Sequence, residues 1–410
     1  MPLFTKRRLL KALGVAVLLL GAGLLLLVCT VPSQRLEPMR RENLARALFR
    51  VAAFVRVPAY PPAELFLPPR KHRYTMAHTV ATCLLAPFIW YAVWLYARRV
   101  WRGVAGVRRS ADDEDEEIER PDRRRFILAT AAVAAPCVVG GGLGAYGVLI
   151  EPQRLQVRRY RIGVRDLPRD LEGFRIVHVS DTHYGPFISR EYLERVIEEA
   201  NAQEGDFIIL TGDYVHRNPR AIRPGIELLA DLRSRLGAAA VLGNHDHWEG
   251  AKACRAALER IGIPAIEHSP RFISRDGVSE TPKPGESICL TGVGDLWEGT
   301  VSFERALKGV PAETPRIVLA HNPDTAEQVP AGSRVDLMCS GHTHGGQVRL
   351  PWIGTPMVPS SYGQHYAGGL CRGPRCRVLV SRGVGMAILP VRLGVPPEIG
   401  VIELTHERRA

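Results

Sequence analysis

Five apolar runs in this chain each stop on a polar cluster drawn from the same short alphabet of Asp, Asn, His and Gly. Residues 174–180 lead to Asp181 and His183. Residues 206–211 lead to Gly212 and Asp213, and residues 238–242 to Gly243, Asn244, His245 and Asp246. Residues 316–320 lead to His321 and Asn322, and residues 335–340 to Gly341, His342, Thr343 and His344. Short apolar runs bounded by turn signals read as buried strands. Helical patterns at 190–202, 222–236 and 251–261 separate them, and further strands are expected at 288–293, 378–381 and 399–404. Such alternation marks the α/β class. In open α/β sheets ligands sit beyond the carboxyl ends of strands. Five strand ends would therefore deliver carboxylates, imidazoles and one amide to a single region.

That donor set has a chemical logic. Carboxylate, amide carbonyl and imidazole suit Mn, Fe, Zn or Co, and no thiolate is needed. Two ions roughly 3.5–4 Å apart require a bridging ligand, which a carboxylate provides. Gly beside a ligand lets the backbone turn sharply and come close. One Asp-x-His would be weak, because a lone His is more often structural. Five such segments, each after an apolar run, make coincidence remote.

Asp181-Thr182-His183, Gly212-Asp213, Gly243-Asn244-His245-Asp246, His321 and Gly341-His342-Thr343-His344 resemble the motifs of the calcineurin-like metallophosphoesterase superfamily. The likeness covers about residues 154–404. The stretch from Gly341 through Gln347 and the approach to Asp181 look most like its membrane-anchored bacterial, YkuE/YaeI-like branch. The branch is also similar to lipid A pathway enzymes that cleave a nucleotide-lipid pyrophosphate. The resemblance implies a four-layer α-β-β-α sandwich with two divalent metal ions at the strand ends. It implies Asp181, His183 and His344 on the first metal, Asn244, His321 and His342 on the second, and Asp213 bridging. His245 is then not a ligand but faces the scissile phosphate, as acid or charge stabiliser, with Asp246 orienting it. A bridging water acidified by the metals is the implied nucleophile. Every ligand position is filled.

Other residues carry weaker expectations. His216, His247 and Trp248 lie near the motifs and could shape a substrate pocket or be structural. Asp295 and Trp297 match no ligand position and read as structural. Arg382 is open between a phosphate contact and a salt bridge. Cys371 and Cys376 are open between a disulfide and two free thiols. Cys254, Cys289 and Cys339 read as small core residues.

The amino-terminal third has a different character. Residues 12–34, 74–97 and 126–150 lack Asp, Glu, Lys and Arg. Crossing a hydrocarbon core of roughly 30 Å takes ~20 helical residues, so each is expected to span a membrane. The resulting division is a membrane region at 1–150 and a metallophosphoesterase domain at 151–410. Orientation is not decided by charge, since residues 35–73 and 98–125 each hold nine Lys and Arg. Arg123-Arg124-Arg125-Phe126 resembles a twin-arginine export signal, which favours an integral protein of a bacterial inner membrane with its catalytic domain outside the cytoplasm. Leu44, Leu48, Val51 and Val55 form an apolar stripe suited to lying in the interface, or to packing on the folded domain. The acidic run at 112–117 reads as a solvated linker.

Charge also separates the function classes. The net charge is +12, which by itself would suit a nucleic-acid partner. Residues 1–125 hold 22 Lys and Arg against 11 Asp and Glu, whereas residues 126–410 hold 32 against 31. The catalytic segment lacks a basic track, so nucleic acid is disfavoured. The leading expectation is a membrane-anchored phosphodiesterase acting on a phosphoester or pyrophosphate, lipid-linked substrates included, with membrane lipids as neighbours. The alternatives are a phosphomonoesterase or nucleotide pyrophosphatase, and a non-catalytic membrane scaffold that retains the fold.

Overall fold

The computed structural model describes residues 142–407. The first two expected spans and residues 126–141 of the third lie outside the described residues, as do the stripe at 44–55, the acidic run and the twin-arginine cluster. Residues Tyr146–Ile150 form a π-helical turn. Among the described residues no helix is long and apolar enough to cross a membrane. The chain divides into two units, Met1–Val148 and Leu149–Ala410, and the second holds both sheets.

Among the described residues twelve strands follow one another as β1 (Gln156–Val164), β2 (Arg175–Val179), β3 (Phe207–Leu210), β4 (Ala238–Ala240), β5 (Arg271–Ile273), β6 (Val278–Ser279), β7 (Ile288–Gly292), β8 (Arg316–Leu319), β9 (Leu337–Ser340), β10 (Gly369–Arg372), β11 (Arg377–Val380) and β12 (Glu398–His406). One sheet has the order β1-β12-β2-β3-β4, the other β10-β11-β9-β8-β7-β5-β6. β2, β3 and β4 run parallel, as do β7, β8, β9 and β11. β3, β8 and β9 are buried along their whole length, and β2 from Ile176 onward, because both faces are covered. Ile176, Phe207, Ile209 and Ile402 of the first sheet share one buried core with Leu290, Ile317, Leu337 and Leu379 of the second. The far face of the second sheet, Val318, Met338, Val378 and Val380, packs on Phe303, Ala306 and Tyr366.

Four α-helices lie between strands: α1 (Arg190–Asn201), α2 (Ile222–Leu228), α3 (Asn244–Arg260) and α4 (Phe303–Ala306). Ser189 caps α1 by accepting from Tyr192 N. Two expected helices need correction. The pattern at 222–236 stays helical only to Leu228, with a 3₁₀ turn to Asp231. Residues 235–237 are drawn off by the first sheet: Arg235 N donates to Gly205 O, Leu236 N to Asp206 O, and Gly237 O accepts from Ile208 N. The helix expected at 251 begins at Asn244 instead, because the Asp246 carboxylate accepts from Gly243 N and closes the first turn. Gly250, at φ 144°, kinks it.

Candidate metal centre

Asp181 and His183 follow β2, Asp213 follows β3, Asn244 opens α3, His321 follows β8, and His342 and His344 follow β9. All seven expected ligands are buried. The ligand atoms of Asp181, His183 and His344 lie within 4.8 Å of one another, and those of Asp213, His321 and His342 do likewise. Asp213 Oδ2 is 3.5 Å from His183 Nε2 and 3.3 Å from His321 Nε2, so one oxygen faces both groups. Asn244 Oδ1 stands 3.1 Å from His321 Nε2.

Backbone conformation accompanies this convergence. Asp181, His183, Asp213, His342 and His344 all have φ between 45° and 68°. Asp and His are among the side chains that tolerate the left-handed region, at a cost. Two glycines make room. A Cβ on Gly341 would stand 2.2 Å from Asp181 Oδ2, and one on Gly243 would stand 2.3 Å from Asp213 Oδ1.

The protonation pattern tests whether cations fit. His321 Nδ1 sits 2.7 Å from the Thr211 carbonyl and must donate to it, so in the neutral ring Nε2 carries a lone pair. Around that lone pair stand Asn244 Oδ1, Asp213 Oδ2 and His342 Nδ1, at 3.1, 3.3 and 3.1 Å. Lone pairs that converge in this way call for a positive charge. Burial works against a charged His321, yet Asp213, Asp181 and Asp295 raise it to about 10. A proton there does the work that a divalent ion would do. Burial pushes Asp181 up to about 7, with the Asp213 charge adding to the rise. Burial also opposes the Asp213 anion, but His321, His245 and His183 outweigh it and hold it well below the usual range. His183 and His344 are pushed well down by burial, and His342 to about 3, which leaves neutral rings with lone pairs to give.

Behind Asp181 runs a hydroxyl relay that sequence reasoning missed. His178 Nε2 meets Thr211 Oγ1 at 2.8 Å, Thr211 donates to Ser180 at 2.6 Å, and Ser180 donates to Asp181 Oδ2 at 2.6 Å. The hydroxyls point their protons one way, so the neutral His178 ring starts a chain of donors that ends on the carboxylate. Its signal was in view: Ser180 and Thr211 close the strands just before the ligands. Arg392 was also missed. Fully buried, it donates to the carbonyls of Arg382, Gly383, Gly385 and Val395 and reaches 3.4 Å from His344 Nδ1.

His245 and Asp246 are not arranged as expected. No hydrogen bond joins Asp246 to the His245 ring. Its carboxylate accepts from Asp213 N, Tyr214 N and Gly243 N at 2.8 to 2.9 Å, and so pins the two ligand loops together. The His245 ring meets His216 instead, with the Nδ1 atoms 3.2 Å apart, and lies 4.8 Å from the His183 ring. His183, His216 and His245 form a third close group of nitrogens. Half-exposed indoles rim the centre: Trp248 lies edge-on to His245 at 4.6 Å, and Trp297 edge-on to His342 at 4.4 Å. Trp248 Nε1 donates to Glu298. His247 joins none of the three groups. Asp295 takes the structural role, accepting from Trp297 N and Glu298 N. Arg382 pairs with buried Glu398 at 3.6 Å, the salt-bridge reading. Cys371 and Cys376 are free thiols.

Comparison with known proteins points to one family. Residues 174–346 match the calcineurin-like phosphoesterase family. The chain is 30% identical over 294 residues to the uncharacterized metallophosphoesterase YkuE of Bacillus subtilis (strain 168), covering 70% of this chain and 99% of that one. It is 33% identical over 289 residues to the phosphodiesterase YaeI of Escherichia coli (strain K12), covering 69% and 98%. A transmembrane protein with metallophosphoesterase domain from Danio rerio is 30% identical over 301 residues, covering 71% and 65%.

Proposed function

The chain belongs to the calcineurin-like phosphoesterase family and is a metal-dependent phosphoester hydrolase, and from that premise we propose a membrane-anchored phosphodiesterase with two divalent metal ions. Asp181, His183 and His344 would hold one ion, and Asn244, His321 and His342 the other, with Asp213 shared. The single observation that carries this reading is Asp213 Oδ2, which faces an imidazole of each group. Ions bound there, of the Mn, Fe, Zn or Co kind, supply Lewis acidity to the phosphoryl oxygens and to an attacking water.

The chain's own residues do the rest. Asp246 fixes the spacing of the Asp213 and Asn244 loops through three backbone amides. His245, held against His216, presents a ring that burial keeps neutral, and its N–H can meet the oxygen of the leaving group. Trp248 and Trp297 give the second substituent of a diester an apolar wall, which favours diester over monoester. The covered sheets support the α-β-β-α sandwich. Anchoring is supported by the charge-free stretches of the amino-terminal third and by the name of the Danio rerio relative. An anchored site favours a lipid-linked phosphoester or pyrophosphate as substrate.

The test uses the purified full chain, stripped with chelator and reloaded with single metals. Bis-p-nitrophenyl phosphate should be cleaved faster than p-nitrophenyl phosphate, and only after reloading. The reverse order would make it a monoesterase. Two bound metals without turnover of either ester would favour the scaffold.

A further inference from the structure

The segment after His344 carries features that catalysis does not use. Leu350 and Gly354 exchange backbone hydrogen bonds of 2.9 and 3.0 Å, which closes a tight turn. Trp352 stands at its tip, 98% exposed, with φ 60°. Ile388 is also exposed, at 51%, with φ 62°. A β-branched residue in the left-handed region is an outlier, and an apolar side chain held there towards solvent points to a role. Met357, shortly after the turn, is 56% exposed.

These elements form one connected surface. The Gln347 amide donates to Ala387 O and Leu389 O and accepts from Ala387 N, so it brackets Ile388. Arg349 N donates to Leu393 O, and Leu393 N to Gln347 O. Arg349, Leu350, Pro351, Trp352 and Gly394 line an open groove of about 460 Å³. Gly394 N donates to the buried Glu151 carboxylate at 2.8 Å. Directly before Glu151 come Leu149 and Ile150, 44% and 53% exposed, the last residues of the third charge-free stretch. The exposed tip is therefore tied to the point where the chain enters the domain.

Charge adds an independent observation. Residues 345–371 contain Arg349 and no Asp, Glu or Lys, so no acid of this segment offsets its charge. Arg349 is exposed beside the tip. Indoles favour the headgroup level of a bilayer, and arginines favour anionic headgroups.

We infer that the Leu350–Gly354 turn, with Trp352, Ile388 and Arg349, docks into the anionic lipid surface of the bilayer, a placement that rests on the membrane-anchored reading. The same segment follows His344 in the chain, so docking would bring the metal centre towards the lipid surface.

Brominated lipids test this. The full chain is reconstituted into vesicles of phosphatidylcholine and phosphatidylglycerol with brominated acyl chains, and its tryptophan quenching is compared with that of Trp352→Phe. Equal turnover of bis-p-nitrophenyl phosphate by the two proteins in detergent establishes that the variant is folded. The variant should lose a quenched component that the wild type shows. Identical quenching would overturn docking. So would protection of Trp352 that follows protein concentration and cross-linking between copies, which would assign the surface to a second copy. A carbonate wash of membranes separates the two readings: release of the protein overturns anchoring. The quenching difference, measured on added vesicles, then decides docking by itself.

Discussion

Two regions of this domain use the same rare backbone conformation in opposite surroundings. At the centre, Asp181, His183, Asp213, His342 and His344 are left-handed and buried. At the tip, Trp352 and Ile388 are left-handed and exposed. Each such residue costs on the order of 1–3 kcal/mol. In the centre that cost is offset by a dense set of bonds: Ser180 and His342 N on Asp181, and Asp246 on the loops of Asp213 and Gly243. The tip relies on the Leu350–Gly354 pair of backbone bonds, two further backbone bonds through Leu393, and the Gln347 amide. The centre is thus over-determined and tuned for charge. The tip only presents side chains, and its sequence should be far freer where the catalytic step is concerned.

Substitutions can break or sharpen that contrast. Asp213→Asn, at the shared oxygen, should abolish turnover and metal retention together, read by diester hydrolysis and by metal content of the purified protein. A variant that kept both would sink the shared-ligand role. His245→Ala should slow turnover by ~10²–10⁴-fold with metals retained. Unchanged turnover would remove His245 from the chemistry. Asp246→Asn should weaken metal affinity by about 10–100-fold, because it loosens the loops that carry ligands. Competition with a chelator measures this, and a loss of turnover at unchanged affinity would instead restore the expected role of orienting His245.

Metal removal exposes the electrostatic side. In the stripped protein His321 is raised from 6.5 to about 10. Its folded value exceeds its unfolded one, so its contribution to stability is complete below pH 6.5 and is lost as pH rises through about 10. Stripped wild type should therefore lose stability relative to stripped His321→Asn over that window. Reloaded wild type should not, since an ion replaces the proton. Thermal melts along a pH series report it. The smallest effect belongs to the tip. Trp352→Asn should leave diester turnover unchanged and shift stability by no more than about 1 kcal/mol, in the stabilising direction, because Asn tolerates the left-handed region. Urea unfolding measures it, and a large loss would show that the tip is structural after all.

The strand ends were legible because parallel strands covered on both faces read as unbroken apolar runs, and because the donors follow them directly. The β2 and β3 runs were placed within a residue or two. What escaped was set by contacts distant in sequence. Asp246 sits beside His245 in the chain, but its partners come from the turn after β3. Arg392 lies 48 residues from His344, and no local pattern announces that a buried guanidinium will gather four carbonyls. The early end of α2 depended on β3 claiming residues 235–237. Short β4, three alanines, has little strand propensity and exists because its neighbour pairs with it.

β12 has a consequence for how the enzyme comes into being. It lies between β1 and β2, parallel to the first over nine residues and antiparallel to the second. Among the described strands, the one made last is therefore an interior strand, and β1 has no partner in its sheet until that strand arrives. Glu398, at its start, also donates its backbone N–H to Gly383, whose space abuts Asp181. Until β12 is made the first sheet lacks its interior strand and Gly383 lacks the Glu398 amide, so hydrolysis is expected only once β12 is in place. A stop codon just upstream of Glu398 would keep every expected ligand in the sequence, yet diester hydrolysis should be lost.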